Sequence, residues 1–145
     1  MSEVEFFDTN ILVFAFNADC KAKHEESLKL VLEVFRGERK GAVSNQVLSE
    51  FHSVLRSKIQ HPLSAEAAAN IVESFIASTN WRKLNYTCQT VLAAAEAFGG
   101  KGAIWDALIA QTMIENGLSV IVTDNLKDFS KLPGIKPLSP FATSG

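Results

Sequence analysis

The hydrophobic pattern divides the chain into short apolar runs, which favour strands, and longer segments in which apolar residues recur every three or four positions, which favour helices. The short runs predict strands over residues 4–7, 42–44, 81–85, 118–122 and 135–138. The periodic segments predict helices over residues 10–17, 23–36, 47–55, 64–78, 87–98 and 104–115. Alternation of this kind predicts an α/β fold, a three-layer α/β/α sandwich with a central, mostly parallel sheet.

Composition narrows this to one ordinary globular domain. The chain has 145 residues, of which 47% are hydrophobic, and this length suits a single core. We expect one domain over residues 1–140 and a short tail over 141–145. No apolar run is long enough for a membrane span, and the acidic N-terminus does not resemble a signal peptide. With two widely separated cysteines, these features predict a cytoplasmic protein without disulfides.

Four acids each stand alone in a core-forming segment. Asp8 is the only charge between Phe6 and Ala18, and the segments 41–55, 102–114 and 116–126 contain single acids. These three are Glu50, Asp106 and Asp124. Isolated carboxylates are costly to bury, and several of them at close range require a cation. An oxygen-only cluster suits Mg²⁺ or Mn²⁺, so the pattern predicts a metal site if the fold brings the four together.

Each acid also has a simpler interpretation. Asp8, Asp106 and Asp124 are of a type that caps helices, and Glu50 is compatible with a solvated helix position. Asp128, a fifth candidate, is flanked by Lys127 and Lys131, which favours a surface role. An aspartyl phosphatase needs a second Asp two residues after its nucleophile, whereas here Asn10 follows Asp8.

Net charge is compatible with a nucleic-acid partner once the four acids are set aside. The formal charge is −2, from 14 Lys and Arg against 16 Asp and Glu. Without the four isolated acids the remaining surface is slightly basic. From their positions alone, Lys40, Arg56 and Lys101 are candidates to hold phosphates of RNA.

Four segments together resemble the PIN-domain family, and within it the VapC-type toxins. They are FFDTNILV at 6–13, SNQVLSEFHSVL at 44–55, GAIWDALIA at 102–110 and VIVTDNLKDF at 120–129. The resemblance implies a metal-dependent endoribonuclease, the toxin of a type II toxin–antitoxin module. It also implies a homodimer and an antitoxin partner. The alternative is a PIN-like module that binds RNA or protein and cuts weakly or not at all.

The resemblance also implies a set of site residues. Asp8, Glu50 and Asp106 would form the catalytic site with a fourth position in the TDN segment. The family pattern reaches Asn125 there, so the sequence leaves open whether Asp124 or Asn125 faces the metal. Thr9 and Thr123 would supply orienting hydroxyls. One or two Mg²⁺ or Mn²⁺ ions on Asp8, Asp106 and Asp124 would activate a water, which Glu50 would orient or deprotonate.

Overall fold

Five strands and seven helices make up the part of the chain that the computed structural model describes, residues 3–98 and 103–141. The strands are β1 Glu5–Phe7, β2 Gly41–Ser44, β3 Trp81–Leu84, β4 Val120–Val122 and β5 Lys136–Leu138. The helices are α1 Thr9–Ala15, α2 Ala22–Phe35, α3 Asn45–Ser57, α4 Ala65–Ala77, α5 Cys88–Ala97, α6 Ile104–Glu115 and α7 Leu126–Phe129.

All predicted elements are present, and most of their ends shift by one or two residues. The sequence pattern missed only α7, a single turn whose cap is Asn125, and a 3₁₀ turn at Ala18–Cys20. Ser44 is the cap of α3, because its side chain accepts a hydrogen bond from the backbone N–H of Val47. The described helices include none with the length and hydropathy needed to span a membrane.

Every strand pairing is parallel, in the order β3-β2-β1-β4-β5. The central strand β1 sets Phe6 beside Ala42 on one side and Ile121 on the other. The chain builds outward from β1 to β3 and then crosses to β4 and β5 on the opposite flank. The order therefore reverses between β1 and β4, and in parallel sheets ligands bind at such a switch point, outside the carboxyl ends of the strands.

The helices cover both faces of the sheet. Helix α1 contacts α2 and α3, and α3 contacts α4, while α5 and α6 contact each other. Connections between parallel strands are right-handed, so the reversal of strand order places these two helix groups on opposite faces. The arrangement confirms the predicted three-layer α/β/α sandwich.

An aromatic cluster forms the core between β2, β3 and the first helix group. Trp81 is 1% exposed, and its ring meets those of Phe7, Phe35 and Phe75 at centroid distances of 5.1, 5.6 and 5.0 Å. The strand beside it needs a glycine. A Cβ on Gly41 would lie 2.8 Å from Val34 Cγ2 and 3.0 Å from Trp81 Cζ3, so the close approach of α2 to β2 excludes a side chain.

The chain beyond β5 returns toward α1. The ring of Phe141 packs edge-on against Phe14 at 5.7 Å, and Lys23 Nζ lies 5.3 Å from the centroid of each ring. The tail expected over 141–145 thus begins with a packed residue. Its last four positions, 142–145, lie outside the described residues, as do the glycine-rich loop at 99–102 and Lys101 within it.

Candidate active site

Asp8 occupies the switch point of the sheet. It directly follows β1, and its Oδ1 accepts a hydrogen bond from the backbone N–H of Thr9 at 2.8 Å, which caps α1. Its Oδ2 accepts bonds from Thr123 Oγ1 at 2.8 Å and Asn10 Nδ2 at 3.3 Å. The residue is only 8% exposed. Burial raises the pKa of Asp8 to about 6, against the hydrogen bonds from Thr123 and Thr9, and repulsion from Asp106 and Glu50 adds to the rise.

Glu50 reaches the same region from α3. Its Oε1 accepts a hydrogen bond from Thr9 Oγ1 at 3.1 Å, so one hydroxyl ties the start of α1 to this carboxylate. Partial burial raises the pKa of Glu50, and the charge of Asp106 raises it further, while Thr9 and Gln46 oppose the shift. The interpretation of Glu50 as a freely solvated helix residue therefore does not hold.

Asp106 lies in the first turn of α6. Partial burial raises the pKa of Asp106, and repulsion from Asp128 contributes to the rise. The charge of Asp106 also raises the pKa values of Asp8 and Glu50. Asp8, Glu50 and Asp106, from the end of β1 and from α3 and α6, thus repel one another, and Asp128 on α7 adds to the negative charge around Asp106. A bound cation relieves repulsion of this kind.

The two aspartates after β4 face different surroundings. The Asp124 carboxylate pairs with Lys23 Nζ at 2.8 Å, and its backbone N–H donates to Asn10 Oδ1 at 3.3 Å. Asn125 caps α7 and donates from Nδ2 to Asp128 Oδ2 at 3.0 Å. Asp124 is not among the charges that shift the pKa values of Asp8, Glu50 and Asp106, whereas Asp128 acts on Asp106. Asp128 is half-exposed and lies 3.9 Å from Lys131 Nζ, as the surface interpretation predicted, and its charge also acts on Asp106.

Of the basic residues chosen from sequence, Lys40 lies away from the acids. Lys40 precedes β2, where its carbonyl accepts from the N–H of Glu5 at 3.1 Å, so it lies at the amino ends of the strands, the opposite edge of the sheet. Arg56 is in the last turn of α3 and donates to the carbonyl of Leu63 at 3.1 Å. Lys40 therefore cannot hold a phosphate against Asp8 or Asp106, the role of Arg56 stays a prediction, and Lys101 lies outside the described residues.

Three side chains that the sequence reasoning did not place at the site border it. Gln46 is 5% exposed and donates from Nε2 to the carbonyl oxygen of Trp105 at 3.1 Å. Lys58 and Tyr86 line a groove that also contains Glu50. The four-residue spacing of Gln46, Glu50, Val54 and Lys58 was the available signal, because such spacing gives one face of a helix.

The donor set fits a hard divalent cation. A cavity of about 310 Å³ is lined by Asp8, Asn10, Glu50 and Asp106, and these offer only oxygen and amide ligands, as Mg²⁺ and Mn²⁺ prefer. Among residues 3–98 and 103–141, no three His, Cys, Asp or Glu side chains lie close enough to enclose an ion as they stand. Coordination would thus require the carboxylates to draw together.

The acidic side chains lie where parallel α/β sheets bind their ligands, at the topological switch point outside the carboxyl ends of the strands. Residues 6–135 match the sequence profile of the PIN domain. The chain therefore belongs to the PIN domain family, as the four sequence segments predicted.

The chain is also similar to individual known proteins. The chain is 28% identical over 144 residues to Ribonuclease VapC24 of Mycobacterium tuberculosis, across 95% of this chain and 97% of that protein. Its fold is similar to that of M. tuberculosis VapC20, a sarcin–ricin loop cleaving toxin, with a TM-score of 0.66, 19% identity and coverage of 91% and 98%. A toxin–antitoxin complex from Klebsiella pneumoniae gives a TM-score of 0.62 at 22% identity, with coverage of 94% and 98%.

Proposed function

We propose that this protein is a metal-dependent endoribonuclease and the toxin of a two-component module. One observation carries the proposal: Asp8, Glu50 and Asp106 line one cavity at the switch point of the sheet. The pKa of each of these carboxyls is raised, mainly by burial and further by neighbouring acids. RNA as the substrate is supported by the name of the relative VapC24 and by membership of the PIN domain family.

The residues would divide the work by position. Asp8, Asp106 and Asp128 would hold one or two Mg²⁺ or Mn²⁺ ions, which supply charge stabilisation at the phosphodiester and a bound water of lowered pKa. Glu50, with its raised pKa, would orient that water or accept its proton. Thr9 and Thr123 donate hydrogen bonds to Glu50 and Asp8 and would fix those carboxylates in place.

Asp128 is proposed for the fourth position in preference to Asp124 and Asn125. The charge of Asp128 acts on Asp106. Asn125 Nδ2 donates a hydrogen bond of 3.0 Å to Asp128 Oδ2. Asp124 pairs with Lys23 at 2.8 Å, which is closer than the 3.9 Å between Asp128 and Lys131. In this arrangement the TDN segment positions the fourth acid and does not itself supply a metal ligand.

The test of the function is cleavage of a pool of structured RNAs with Mg²⁺ or Mn²⁺ against a chelator. Wild type should cut only with metal, and Asp8→Asn should lose cutting by at least about a hundredfold, the scale of losing a residue that supports charge development. Glu73→Gln, an exposed acid on α4, is the matched control and should cut like wild type. RNA binding that is equal in all three proteins without any cutting would instead favour a non-catalytic binding module.

The partners follow from the same proposal. A related structure is described as a toxin–antitoxin complex, so we propose that an antitoxin is a partner. We also propose a second copy of this chain as a partner, as the family resemblance implies. Expression in a bacterial host should arrest growth for wild type and not for Asp8→Asn. Sedimentation of wild type and Asp8→Asn should give the mass of a dimer in both cases. Asp8 is buried, so its substitution should not alter a surface that binds a second copy.

A further inference from the structure

A second depression adjoins the acidic cavity. It is a groove of about 460 Å³ between α3 and the start of α6, and it shares Thr9, Glu50 and Val54 with that cavity. Its volume lies within the range of roughly 300–1,000 Å³ typical of small-ligand sites. A single extended ligand could therefore occupy both the groove and the acidic cavity.

The walls of the groove are aromatic. Trp105 is 59% exposed and lines it together with the half-buried Tyr86. The other tryptophan, Trp81, is only 1% exposed and belongs to the core. Aromatic rings in a groove provide stacking platforms for bases, and every base has a π face to offer.

A hydrogen bond holds the backbone that carries the exposed ring. The buried amide of Gln46 donates to the carbonyl oxygen of Trp105 at 3.1 Å. Gln46 Oε1 has no hydrogen-bond partner within the described part of the chain, and leaving a buried acceptor unpaired costs stability. This cost is understandable if the role of Gln46 is to anchor Trp105 beside Asp106, the next residue.

The charges of the groove match a nucleotide. The end shared with the acidic cavity carries Glu50, and the far end carries Lys58, an exposed residue that forms no ion pair among the described residues. Ser49 and Ser53 line the floor between them. Lys58 could contact the next phosphate of an RNA strand. The serine hydroxyls and the Glu50 carboxylate could form hydrogen bonds with the edge of a base or with a ribose.

We propose that this groove binds one unpaired nucleotide of the RNA next to the bond that is cut, with its base stacked on Trp105 and its outer phosphate against Lys58. The inference rests on the proposed function and adds that the substrate must be single-stranded at that nucleotide. A paired base cannot present its face to the ring. The groove thus selects loops and unpaired segments over duplexes.

Binding is tested in the full-length Asp8→Asn protein, which should not cut. Short single-stranded oligo-U and oligo-A RNA should quench the emission of the exposed Trp105, whereas the corresponding duplex should not. Trp105→Phe in the same background should lose the quenching, since the buried Trp81 alone remains. Labelled RNA that binds while Trp105 emission stays unchanged would overturn the proposal, because the ring would then be free or covered by protein.

Kinetics test the same contact in active protein. Trp105→Ala and Trp105→Leu should raise KM roughly ten- to hundredfold, the loss of one stacked base, with kcat little changed. Trp105→Phe should retain most of the affinity, and Lys58→Gln should weaken binding and its salt dependence. Ile76→Ala, on α4 and exposed to a similar extent at 56%, is the control and should match wild type.

An RNA that lacks one base tests whether Trp105 contacts that base, by the logic of a double-mutant cycle. Removing the base beside the cut should weaken wild type as much as Trp105→Ala does, and should not weaken Trp105→Ala further. Additive losses would overturn the stacking contact, as would a Trp105→Ala protein that sediments as a monomer where wild type is a dimer. Absence of cutting by wild type would count against the nuclease function alone, because the quenching experiment needs no cleavage.

Discussion

Thr123 Oγ1 donates a hydrogen bond of 2.8 Å to Asp8 Oδ2, joining residues 115 positions apart in the chain. Thr123 follows β4 and Asp8 follows β1, and the two strands are neighbours only because the sheet order reverses there. Thr123 is completely buried. The bond therefore fixes the carboxylate at the switch point and supplies one of the few partners that this buried acid has.

Replacing Thr123 by Val keeps the shape but removes the donor to Asp8 and the acceptor of the Asn125 N–H bond of 2.9 Å. The free energy of unfolding should fall by about 1.5–3 kcal/mol near neutral pH, since a buried carboxylate loses a charge-assisted hydrogen bond. Urea denaturation of metal-free protein measures this. Thr123→Ser should recover most of the loss. Thr112→Val is the matched control, because Thr112 is equally buried but donates to its own helix at Leu108, and its loss should be about 1 kcal/mol.

Stability should fall as pH rises because of Asp8. Its pKa is 3.8 in the unfolded chain and about 6 in the folded protein, so between these values only the folded state holds the proton. The free energy of unfolding should then decrease through this interval by up to about 3 kcal/mol. Below pH 3.8 both states are protonated, and above about pH 6 the full penalty is present.

The variant Asp8→Asn isolates this contribution. The difference in unfolding free energy between wild type and Asp8→Asn should move steadily in favour of the variant from pH 4 to pH 6.5, measured with chelator present. Glu73→Gln should track wild type across the same range. A difference that stays constant with pH would contradict the raised pKa of Asp8. Added Mg²⁺ or Mn²⁺ should raise the Tm of wild type and leave that of Asp8→Asn unchanged.

The fourth acid can be identified by a pair of substitutions. Asp128→Asn should reduce metal-dependent cleavage by about tenfold to a hundredfold or more, the scale of losing a metal contact, because Asp128 faces Asp106. Asp124→Asn should change cleavage by less than about threefold, since its partner is Lys23 and surface ion pairs contribute about 0–1 kcal/mol. Single-turnover cleavage over a metal titration measures both, and the reverse order would assign the position to Asp124.

Gly41 is set by packing rather than by backbone conformation. A Cβ on Gly41 would lie 2.8 and 2.9 Å from the two methyl groups of Val34. Gly41→Ala should therefore lower the free energy of unfolding by about 1–3 kcal/mol, the usual cost of overpacking. Combining it with Val34→Ala should give less than the sum of the two single losses. Thermal unfolding of the four proteins measures the coupling, and strict additivity would show that the contact with Val34 is not the cause.

The sequence determined the architecture because hydrophobic periodicity is local. The apolar run ending at Phe7 and the helix from Ile104 to Glu115 could be located without knowing what they pack against. Isolated acids within such segments also pointed to Asp8, Glu50 and Asp106, since a lone carboxylate in a core segment needs a special environment. These inferences need only neighbours along the chain.

Tertiary structure decided what depends on direction and on distant partners. Lys40 and Asp8 both lie next to strands, but at opposite edges of the sheet. Asp128 is half-exposed and pairs with Lys131, as its neighbours in sequence suggested, but its charge also acts on Asp106, while Lys23 pairs with Asp124. Charges interact through space, so the roles of Asp124, Asp128 and Trp105 depended on residues remote in sequence and could not be assigned before the fold was known.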